Sequence, residues 1–421
     1  MRRPAWISTG PDVHILFLTD NFPPEVNAPA SRTFEHCREW VREGAQVTVI
    51  TCAPNFPKGA VFAGYRNRLW QRETVDGIRV IRVWSYITAN EGFIKRILDY
   101  LSFMVTSTVA ALFVRRVDVV IGTSPQFFTA CAAWATGLLK RRPWVFELRD
   151  LWPESIKAVG AMQDSAAIRL LERLELFLYR KADRIVAVTH AFKDTLMRRG
   201  IDGGKIEVVT NGVDLASFRP MPKDAALVRD LGLEGCFVAG YIGTHGMAHG
   251  LETLLEAAAA LQRRPDAQDV RMIFLGHGAE KAALVAQSAR MGLTNVRFVD
   301  SVPKSEVVRY WSLLDVSIIH LRKTDLFDSV IPSKLFECMG MAIPVLHGVP
   351  GESAAIVRRE DVGEVFESSN AAQLEEVLVR VRTDPERMAR YRANGPLAGR
   401  KYNRTDLARR MLAILRKLQR R

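Results

Sequence analysis

Short apolar runs rich in β-branched residues recur along the whole chain, and stretches with helical periodicity separate most of them. The first run, 13–18, is followed by a loop, an amphipathic stretch through Trp40, then Gly44 and a second apolar run, 47–51. This succession is typical of a βαβ unit. Because it repeats in both halves of the chain, it predicts an α/β fold with doubly wound sheets. Further strands are predicted at 78–83, 117–121, 144–148, 185–188 and 206–209, and in the second half at 237–242, 270–275, 296–298, 316–319, 343–346 and 363–366.

The length of the chain indicates two domains. A chain of 421 residues is too long for one compact core and suits two domains of about 200 residues each. In the stretch Phe218-Arg-Pro-Met-Pro-Lys223, two prolines interrupt the pattern of strands and helices. We therefore predict a first Rossmann-like domain over 1–220 and a second over 221–400.

The chain carries a net charge of +13, which predicts an anionic partner such as nucleic acid, an acidic membrane surface or a phosphorylated ligand. It has no zinc-finger spacing, no aromatic RNA-binding signature and no basic region with heptads, so we expect no nucleic acid partner. The five cysteines are scattered without a C-x-x-C pair, and the first residues lack a hydrophobic stretch of signal-peptide length. A cytoplasmic location is expected.

Two segments have patterns that suit either a protein core or a membrane surface. Residues 97–114 are about as long as the shortest membrane span, but they contain Asp99 and several hydroxyl residues. We interpret them as a helix that is either buried in the first domain or inserted at a membrane interface. Residues 400–421 hold nine Lys or Arg against one Asp, with the apolar residues on one stripe. They predict a basic amphipathic helix that either packs across a domain or contacts a membrane.

The stretch 325–346 reads as a loop, a short helix and a strand. Ser333 is a typical helix start, because its hydroxyl can accept from a free backbone N–H, and Gly340 is a typical stop. Lys334 and Glu337 are three positions apart, so in a helix they share a face at roughly 5–6 Å. One side chain can then take a phosphate and the other ribose hydroxyls. The alternative is an ordinary amphipathic helix with both charges in water.

Several motifs stand together in a fixed order. In sum they resemble the retaining GT-B glycosyltransferases of family four, the glycosyl transferases of group 1. The resemblance is closest to the branch that builds bacterial O-antigen, capsule and colanic-acid type polysaccharides. The motifs that carry it are Phe22-Pro-Pro-Glu25, Asn55-Phe-Pro57, Ser124-Pro125, Arg149-Asp-Leu-Trp-Pro-Glu154, Ala182-Asp-Arg-Ile-Val-Ala-Val-Thr189, Asn211-Gly-Val-Asp214, Phe274-Leu-Gly-His-Gly-Ala-Glu280 and Pro332-Ser-Lys-Leu-Phe-Glu337.

The resemblance implies a GT-B fold, in which two Rossmann-like domains face each other across a cleft. The domain 221–400 would hold the nucleotide-sugar, the domain 1–220 the acceptor, and the last helix, 401–421, would cross back to the first domain. The implied donor is a UDP-linked sugar, for which an N-acetylated amino sugar is one candidate. The implied acceptor is a glycan on polyprenyl diphosphate, so the enzyme would be peripheral at the inner, anionic face of the cytoplasmic membrane.

The resemblance also assigns roles within 325–346. In that family, the second of two glutamates eight positions apart holds the donor ribose, and it matches Glu337. The first position is Ser329 here, so a carboxylate that the wider family aims at the sugar is absent from it. Asp325 or Asp328 of the same loop is a substitute, or else both are solvated loop acids.

The loop 243–250 follows a predicted strand, so its glycines allow a phosphate to approach the backbone closely. The Arg and Lys that the wider family has in this loop correspond to Gly243 and His249. Neutralisation of the diphosphate is therefore expected from Lys334, assisted by Arg322 or Lys323. Further donor contacts are expected at Thr244, His245 and Gly246 of the loop, Gly276 and Gly278 after the next strand, Phe298, and Ser333.

The resemblance assigns two loops of the first domain to the substrates. The loop from Asn27 to Arg32 occupies the place of the family's glycine-rich loop under the donor phosphates. The loop after strand 144–148 carries Arg149, Asp150 and Glu154, and Asp150 is our candidate for activating the acceptor. The alternative is that Arg149 pairs with one of these acids and braces the loop.

The predicted chemistry is electrostatic. Charge develops on the departing diphosphate, so backbone N–H groups and Lys334 stabilise it, with Glu337 and Asp150 as the other catalytic candidates. The sequence has no Asp-x-Asp motif and no His cluster with ligand spacing, so neither a metal nor another cofactor is expected. Two other functions remain compatible: a nucleotide-sugar 2-epimerase with the same fold, and a basic, non-catalytic protein that binds a membrane surface.

Overall fold

The computed structural model describes residues 13–56, 59–88, 93–124, 126–151 and 166–419. The chain divides into two compact units. The first unit comprises Met1–Thr210 and Thr405–Arg421, and the second comprises Asn211–Arg404. Residues 211–220, predicted to close the first domain, thus belong to the second unit. The reason is that Val213 forms a parallel bridge with Asn403, and Phe218 is buried in the core of the second unit.

The first unit is built on one sheet. Its strands are β1 (His14–Leu18), β2 (Gln46–Cys52), β3 (Trp70–Val75), β4 (Ile78–Val83), β5 (Val119–Thr123), β6 (Trp144–Leu148), β7 (Arg184–Ala187) and β8 (Ile206–Val208). Among the described residues, the order across this sheet is β3-β4-β2-β1-β5-β6-β7-β8. Only β3 runs antiparallel to its neighbour in this part of the chain. Every residue of β1 and β5 is buried, as expected for parallel strands covered on both faces.

Helices lie between most of these strands. They are α1 (Ala28–Arg42), α2 (Phe93–Leu112), α3 (Phe127–Lys140), α4 (Ala166–Lys181) and α5 (His190–Arg198).

The second unit repeats the scheme with a smaller sheet. Its strands are β9 (Phe237–Ile242), β10 (Val270–Leu275), β11 (Val296–Val299), β12 (Val316–His320), β13 (Val345–Gly348) and β14 (Gly363–Val365). In the described residues these strands are all parallel, in the order β11-β10-β9-β12-β13-β14. The helices are α6 (Ala225–Asp230), α7 (Glu252–Arg263), α8 (Lys281–Arg290), α9 (Lys304–Trp311), α10 (Lys334–Met341), α11 (Gly351–Glu360), α12 (Ala371–Arg382) and α13 (Pro385–Lys401).

The predicted α/β class is confirmed, and each predicted strand overlaps an observed one. The strand β3 was not predicted. No helix in the described ranges is long and apolar enough to cross a membrane.

The last helix, α14 (Arg404–Gln419), packs on the sheet of the first unit. Met411 and Leu415 are fully buried in the same core as Phe17. The indole Nε1 of Trp40 in α1 donates a hydrogen bond of 2.8 Å to the carbonyl of Ala408. The apolar stripe of this helix therefore faces a protein core, and the interpretation that the stripe contacts a membrane is wrong.

Candidate active site

The helix α10 carries the two predicted donor-binding residues. It begins at Lys334, after Ser333, but the Ser333 hydroxyl makes no capping hydrogen bond, contrary to the prediction. The helix continues through Gly340 to Met341, and the residue that caps its end, Ala342, has a left-handed backbone with φ +57°. Gly340 is thus no stop signal. It is needed for packing instead, because a Cβ there would lie 2.8 Å from the carbonyl oxygen of Phe218.

The side chain of Lys334 reaches across the start of the loop 243–250. A Cβ on Gly243 would overlap Cε and Nζ of Lys334 in their present position, and the φ of Gly243 is +149°, a backbone conformation that favours glycine. Lys334 Nζ donates a hydrogen bond of 2.9 Å to the hydroxyl of Tyr241 and lies 4.1 Å from the centre of that ring. The Tyr241 hydroxyl in turn donates to the carbonyl of Thr244 at 2.8 Å. Strand β9, the loop and helix α10 are thereby connected.

Among the described residues, two ammonium groups lie at this cluster. Lys281 donates to the carbonyl of Gly276 at 2.9 Å and pairs with Asp300 at 2.6 Å, and the second ammonium group is that of Lys334. Burial lowers the pKa of Lys334 to about 8, although the negative charge of Glu337 raises it, so the ammonium form prevails at neutral pH. Burial also lowers the pKa of His245 to about 4 and that of His249 to about 3, and the charge of Lys334 contributes to both shifts. Both histidines are therefore neutral and add no charge for a diphosphate.

The two cations expected to assist Lys334 are engaged elsewhere. Arg322 is exposed and pairs with Glu252 at 2.8 Å. Lys323 is exposed and pairs with Glu367 at 2.7 Å. Both cations are thus in surface ion pairs in the donor-free protein, and their contact with the donor stays a prediction.

His320, the last residue of β12, fixes the loop 243–250 by a hydrogen bond to its backbone. The ring Nδ1 of His320 lies 2.7 Å from the carbonyl oxygen of His249, and Nε2 accepts from the backbone N–H of Ser369 at 2.9 Å. Because Nε2 accepts, Nδ1 carries the proton and donates to His249. The loop is also held by the N–H of Arg322, which donates to the carbonyl of Ala248 at 2.9 Å.

A second glycine turn packs directly against this loop. A Cβ on Gly276 would overlap the carbonyl oxygen of Gly243, and one on Gly278 would overlap that of His245. The ring of Phe298 stacks on Phe274 at 5.1 Å between centroids, and His245 meets its face edge-on. The predicted donor residues Gly243, Thr244, His245, Gly246, His249, Gly276, Gly278 and Phe298 thus lie together at or beyond the carboxyl ends of β9, β10 and β11. In open α/β sheets, ligands bind at this edge.

The side chain of His245 is fully buried in this cluster. Neither ring nitrogen has a hydrogen-bond partner among the described residues. Its backbone, by contrast, is paired on both sides, with the carbonyl of His277 at 3.0 Å and the N–H of Glu280 at 2.9 Å. His245 therefore anchors the loop 243–250 to the glycine turn that follows β10.

The acids expected beside the donor sugar lie before α10. Asp328 and Ser329 belong to a short 3₁₀ turn, Asp325–Ser329, in which Asp328 is exposed and Ser329 half-buried. The backbone of Asp328 packs so closely on Gly351, the first residue of α11, that a Cβ on Gly351 would overlap the Asp328 carbonyl. Glu337 itself is half-buried on α10.

In the first unit, two residues predicted to contact substrate have structural roles. Arg32 is 4% exposed and pairs with the buried Glu147 at 2.9 Å. Its guanidinium also donates to the carbonyls of Val209 and Thr210 at 3.0 and 2.8 Å. Asn27 caps α1 by accepting from the N–H of Ala30 at 2.8 Å. Arg32 and Asn27 therefore hold the first unit together, and a contact of either with substrate stays a prediction.

Arg149 and Asp150 directly follow β6 and are half-buried. Their backbone N–H groups both donate to the hydroxyl of Ser124, at 2.8 and 3.1 Å, which fixes the turn. Arg149 also donates to the carbonyl of Pro29 at 3.2 Å. Glu154 lies outside the described residues.

The comparisons with known proteins identify the family. Residues 27–212 match the family described as glycosyl transferase 4-like domain, and residues 229–397 match the family described as glycosyl transferases group 1. The chain belongs to the group 1 glycosyltransferases. WcaI of Escherichia coli K12, whose name assigns it to colanic acid biosynthesis as a glycosyl transferase, is 26% identical over 76% of this chain and 79% of the relative.

Solved structures share the whole fold of this glycosyltransferase. Sucrose-phosphate synthase from Thermosynechococcus elongatus has a TM-score of 0.75 at 17% identity, over 96% of this chain and 99% of that chain. HepE from Anabaena, solved in complex with UDP-glucose, has a TM-score of 0.70 at 16% identity over 96% and 99%. At such identities these likenesses establish the GT-B fold alone.

The glycosyltransferase has further candidate residues to which the sequence analysis assigned no role. The sequence predicts Tyr241 only as part of an apolar strand. A tyrosine at the end of a strand, next to a glycine loop, is a pattern that could have indicated a site residue. In the first unit, burial raises the pKa of Glu25 to about 6 and that of Asp99 to about 7. Burial also raises the pKa of Asp20, whose charge acts on both. Carboxyl groups with such values suit proton transfer from a hydroxyl.

Proposed function

We propose that this glycosyltransferase moves a sugar, with retention at the anomeric carbon, from a UDP-sugar to a lipid-linked glycan during the synthesis of a bacterial surface polysaccharide. The observation that carries the proposal is the ammonium group of Lys334 beside the glycine loop 243–250, at the carboxyl edge of the second sheet. Support for the nucleotide comes from HepE, whose structure contains UDP-glucose, and support for the pathway comes from the name of WcaI.

The donor diphosphate would contact Lys334 and the backbone of the loop 243–250. Since His245 and His249 are neutral, the loop offers close approach and N–H groups, and Lys334 supplies the charge. The carboxylate of Glu337, one turn along α10, would accept hydrogen bonds from the ribose hydroxyls. Asp328 and Ser329 would contribute to the sugar subsite.

In the transfer step, the bond between the anomeric carbon and the diphosphate breaks, and negative charge grows on the departing oxygen. Lys334 and the N–H groups of the loop stabilise that charge, and no bound metal is needed for this role. Retention follows from displacement on the same face of the sugar, in which the departing diphosphate oxygen takes the proton of the acceptor hydroxyl. Asp150 would orient and polarise that hydroxyl.

A membrane surface would hold the lipid-linked acceptor, and α2 offers a surface for it. One face of α2 is buried, as Phe103, Ser107 and Ala110 show. The opposite face is an apolar stripe exposed by 45–56%, continued by Phe113 at 70%. The stripe, called here the α2 stripe, consists of Leu98, Val105, Val109, Leu112 and Phe113.

Basic residues flank the α2 stripe. Lys95 and Arg96 precede it and Arg115 and Arg116 follow it, all exposed. The exposed pair 138–139 of α3, which packs on α2, extends the apolar surface. Each Lys or Arg close to an anionic leaflet contributes about 1 kcal/mol, so this composition suits the inner face of the cytoplasmic membrane. The buried face agrees with the interpretation of 97–114 as a core helix, and the exposed α2 stripe is the surface that we propose inserts at the membrane interface.

One experiment tests the proposal against its two alternatives. Purified protein is incubated with a panel of radiolabelled nucleotide-sugars and a bacterial membrane lipid extract, and the products are separated. Label in the lipid fraction supports transfer. A chemically altered free nucleotide-sugar would instead support a 2-epimerase, and no conversion with any donor would support a non-catalytic membrane-binding protein.

A further inference from the structure

Tyr241 connects the two parts of the donor site and has no role assigned by the sequence. It lies in β9 with 1% of its surface exposed, and its hydroxyl is bonded on both sides. A carbonyl can only accept, so the single hydroxyl proton is directed to Thr244 at 2.8 Å. The hydroxyl oxygen is then free to accept from Lys334 Nζ at 2.9 Å. The order of donors is therefore fixed from α10 through β9 to the loop.

This connection fixes where the ammonium group of Lys334 lies. Gly243 leaves room for the lysine side chain on one side, and the Tyr241 ring lies 4.1 Å from Nζ on another. An ammonium over an aromatic ring is stabilised without a neutralising carboxylate, so its charge stays available to an incoming anion. The alternative arrangement, a direct ion pair with a carboxylate, would have to be broken for a diphosphate to bind.

We infer that Tyr241 is a positioning residue for the donor diphosphate: its hydroxyl holds the Lys334 ammonium and the backbone of Thr244 in one fixed arrangement. The inference rests on the proposed function for the identity of the anion as a nucleoside diphosphate. The bond between Tyr241 and Lys334 also has a consequence in the donor-free protein. Without the hydroxyl, the ammonium of the half-buried Lys334 loses the hydrogen bond to Tyr241, which favours the neutral amine.

The charged and titratable groups that face Lys334 come from three elements. They are Tyr241 of β9, His245 and His249 of the loop, and Glu337 and Cys338 of α10. Burial raises the pKa of Cys338 to about 12 and raises that of Tyr241, and the histidine values lie near 3 and 4. Between about pH 6 and pH 10, a titration seen at this cluster is therefore assigned to Lys334.

The test uses Tyr241→Phe, which keeps the ring and removes the hydroxyl. The matched control is Tyr391→Phe, because Tyr391 is also buried in the second unit and its hydroxyl donates to Glu364 at 2.9 Å. Competitive acetylation with mass spectrometry gives the titration midpoint of Lys334 in each full-length protein. Calorimetry gives the affinity for UDP across the same pH range, with Lys334→Ala as the reference for complete loss of the charge.

We expect Tyr241→Phe to lower the titration midpoint of Lys334 by about one pH unit and the alkaline limit of UDP binding equally. Tyr391→Phe should move neither, and Lys334→Ala should abolish the alkaline limit. A Lys334 midpoint that is unchanged in Tyr241→Phe, in a protein with a normal melting temperature, would overturn the inference even if UDP binds. Failure of UDP to bind the unmodified protein would instead contradict the proposed function, while a lowered midpoint would still establish the Tyr241–Lys334 coupling.

Discussion

Lys334 is the residue whose charge makes donor binding sensitive to pH. Its pKa is lowered by burial to about 8 in the donor-free protein, and a bound diphosphate would raise it again. Binding is then strongest below pH 8 and weakens above it, by up to about tenfold per pH unit until the pKa of the complex is reached. Calorimetry with UDP in two buffers of different ionisation enthalpy should show much more proton uptake at about pH 9.5 than at about pH 7.5, two values at which the terminal phosphate of UDP is ionised. Equal affinity and no proton uptake at both values would contradict this role.

Glu337 is the residue that we expect to hold the donor ribose. Glu337→Gln exchanges a charged acceptor for a neutral one of the same volume, so the fold should persist. A hydrogen bond to a charged group contributes about 1.5–3 kcal/mol, so we expect UDP affinity to fall roughly tenfold or more. Glu376→Gln, on the exposed face of α12, is the matched control and should bind normally. If both variants bind UDP as the unmodified protein does, Glu337 does not hold the ribose.

Glu147 lies within β6 and Asp150 directly follows that strand, but the two acids should respond differently to loss of charge. Glu147 is 1% exposed, and although burial alone would raise its pKa, the charges of Arg32 and Arg149 keep it low. Glu147→Gln breaks this buried pair, which typically costs about 3–5 kcal/mol, so the melting temperature should fall clearly. Asp150→Asn should melt normally and lose transfer activity. A large drop in melting temperature with Asp150→Asn would indicate that it braces the loop.

Single residues of the site could be predicted where a motif sits at a strand end. Gly243, Gly276 and Lys334 come together because the carboxyl ends of parallel strands share an edge. The buried ion pair of Arg32 could not be predicted, because its partner, Glu147, lies 115 positions away and sequence spacing carries no information about such a pair. Tyr241 was missed for the same reason, since its contact with Lys334 spans 93 positions.

At the scale of elements, the missed strand shows where periodicity is weak. β3 is an edge strand with no buried residue, so it lacks the apolar run that marked the other strands. A local signal was nevertheless present in the turn after it. Asp76 and Gly77 both have positive φ, at +48° and +81°, as a tight hairpin between antiparallel strands requires.

The α2 stripe makes a prediction about the membrane. Val105→Ser combined with Val109→Ser removes apolar surface that is already exposed by 56% and 52%, so folding should be unaffected. Full burial of one valine contributes roughly 1.5–3 kcal/mol, so partial insertion of two should give at least about a tenfold difference in vesicle binding. Sedimentation with anionic liposomes measures it, and Val285→Ser, exposed by 42% on α8, is the control.

Salt separates the apolar contribution from the charged one. Binding to anionic vesicles should exceed binding to neutral ones at low salt and weaken as salt shortens the Debye length below roughly 10 Å. Binding that is equal on both vesicle types, or that survives high salt unchanged, would contradict the role of the basic flanks.

At the scale of the whole molecule, composition and alternation predicted two α/β domains but misplaced their limits. The prolines after Phe218 marked a linker, yet residues 211–220 are held in the second unit by hydrogen bonds to a distant segment. The N–H of Val213 donates to the carbonyl of Tyr402 at 3.0 Å, and the N–H of Arg404 donates to that of Val213 at 3.0 Å. Such pairing between segments far apart in sequence cannot be read from local breaker signals.

The chain returns to the first unit at Thr405, so we expect that α14 stabilises the core of that unit. Met411 of α14 is completely buried against the core that contains Phe17 and Trp40, although nearly the whole second unit lies between them in sequence. Met411→Ala should leave a cavity and cost about 2–5 kcal/mol, whereas Arg410→Ala, on the exposed face of the same helix, should change stability by less than about 0.5 kcal/mol. Hydrogen exchange read by mass spectrometry should show the loss of protection in β1 and α1. Loss confined to 211–404 would mean that α14 does not stabilise the first unit.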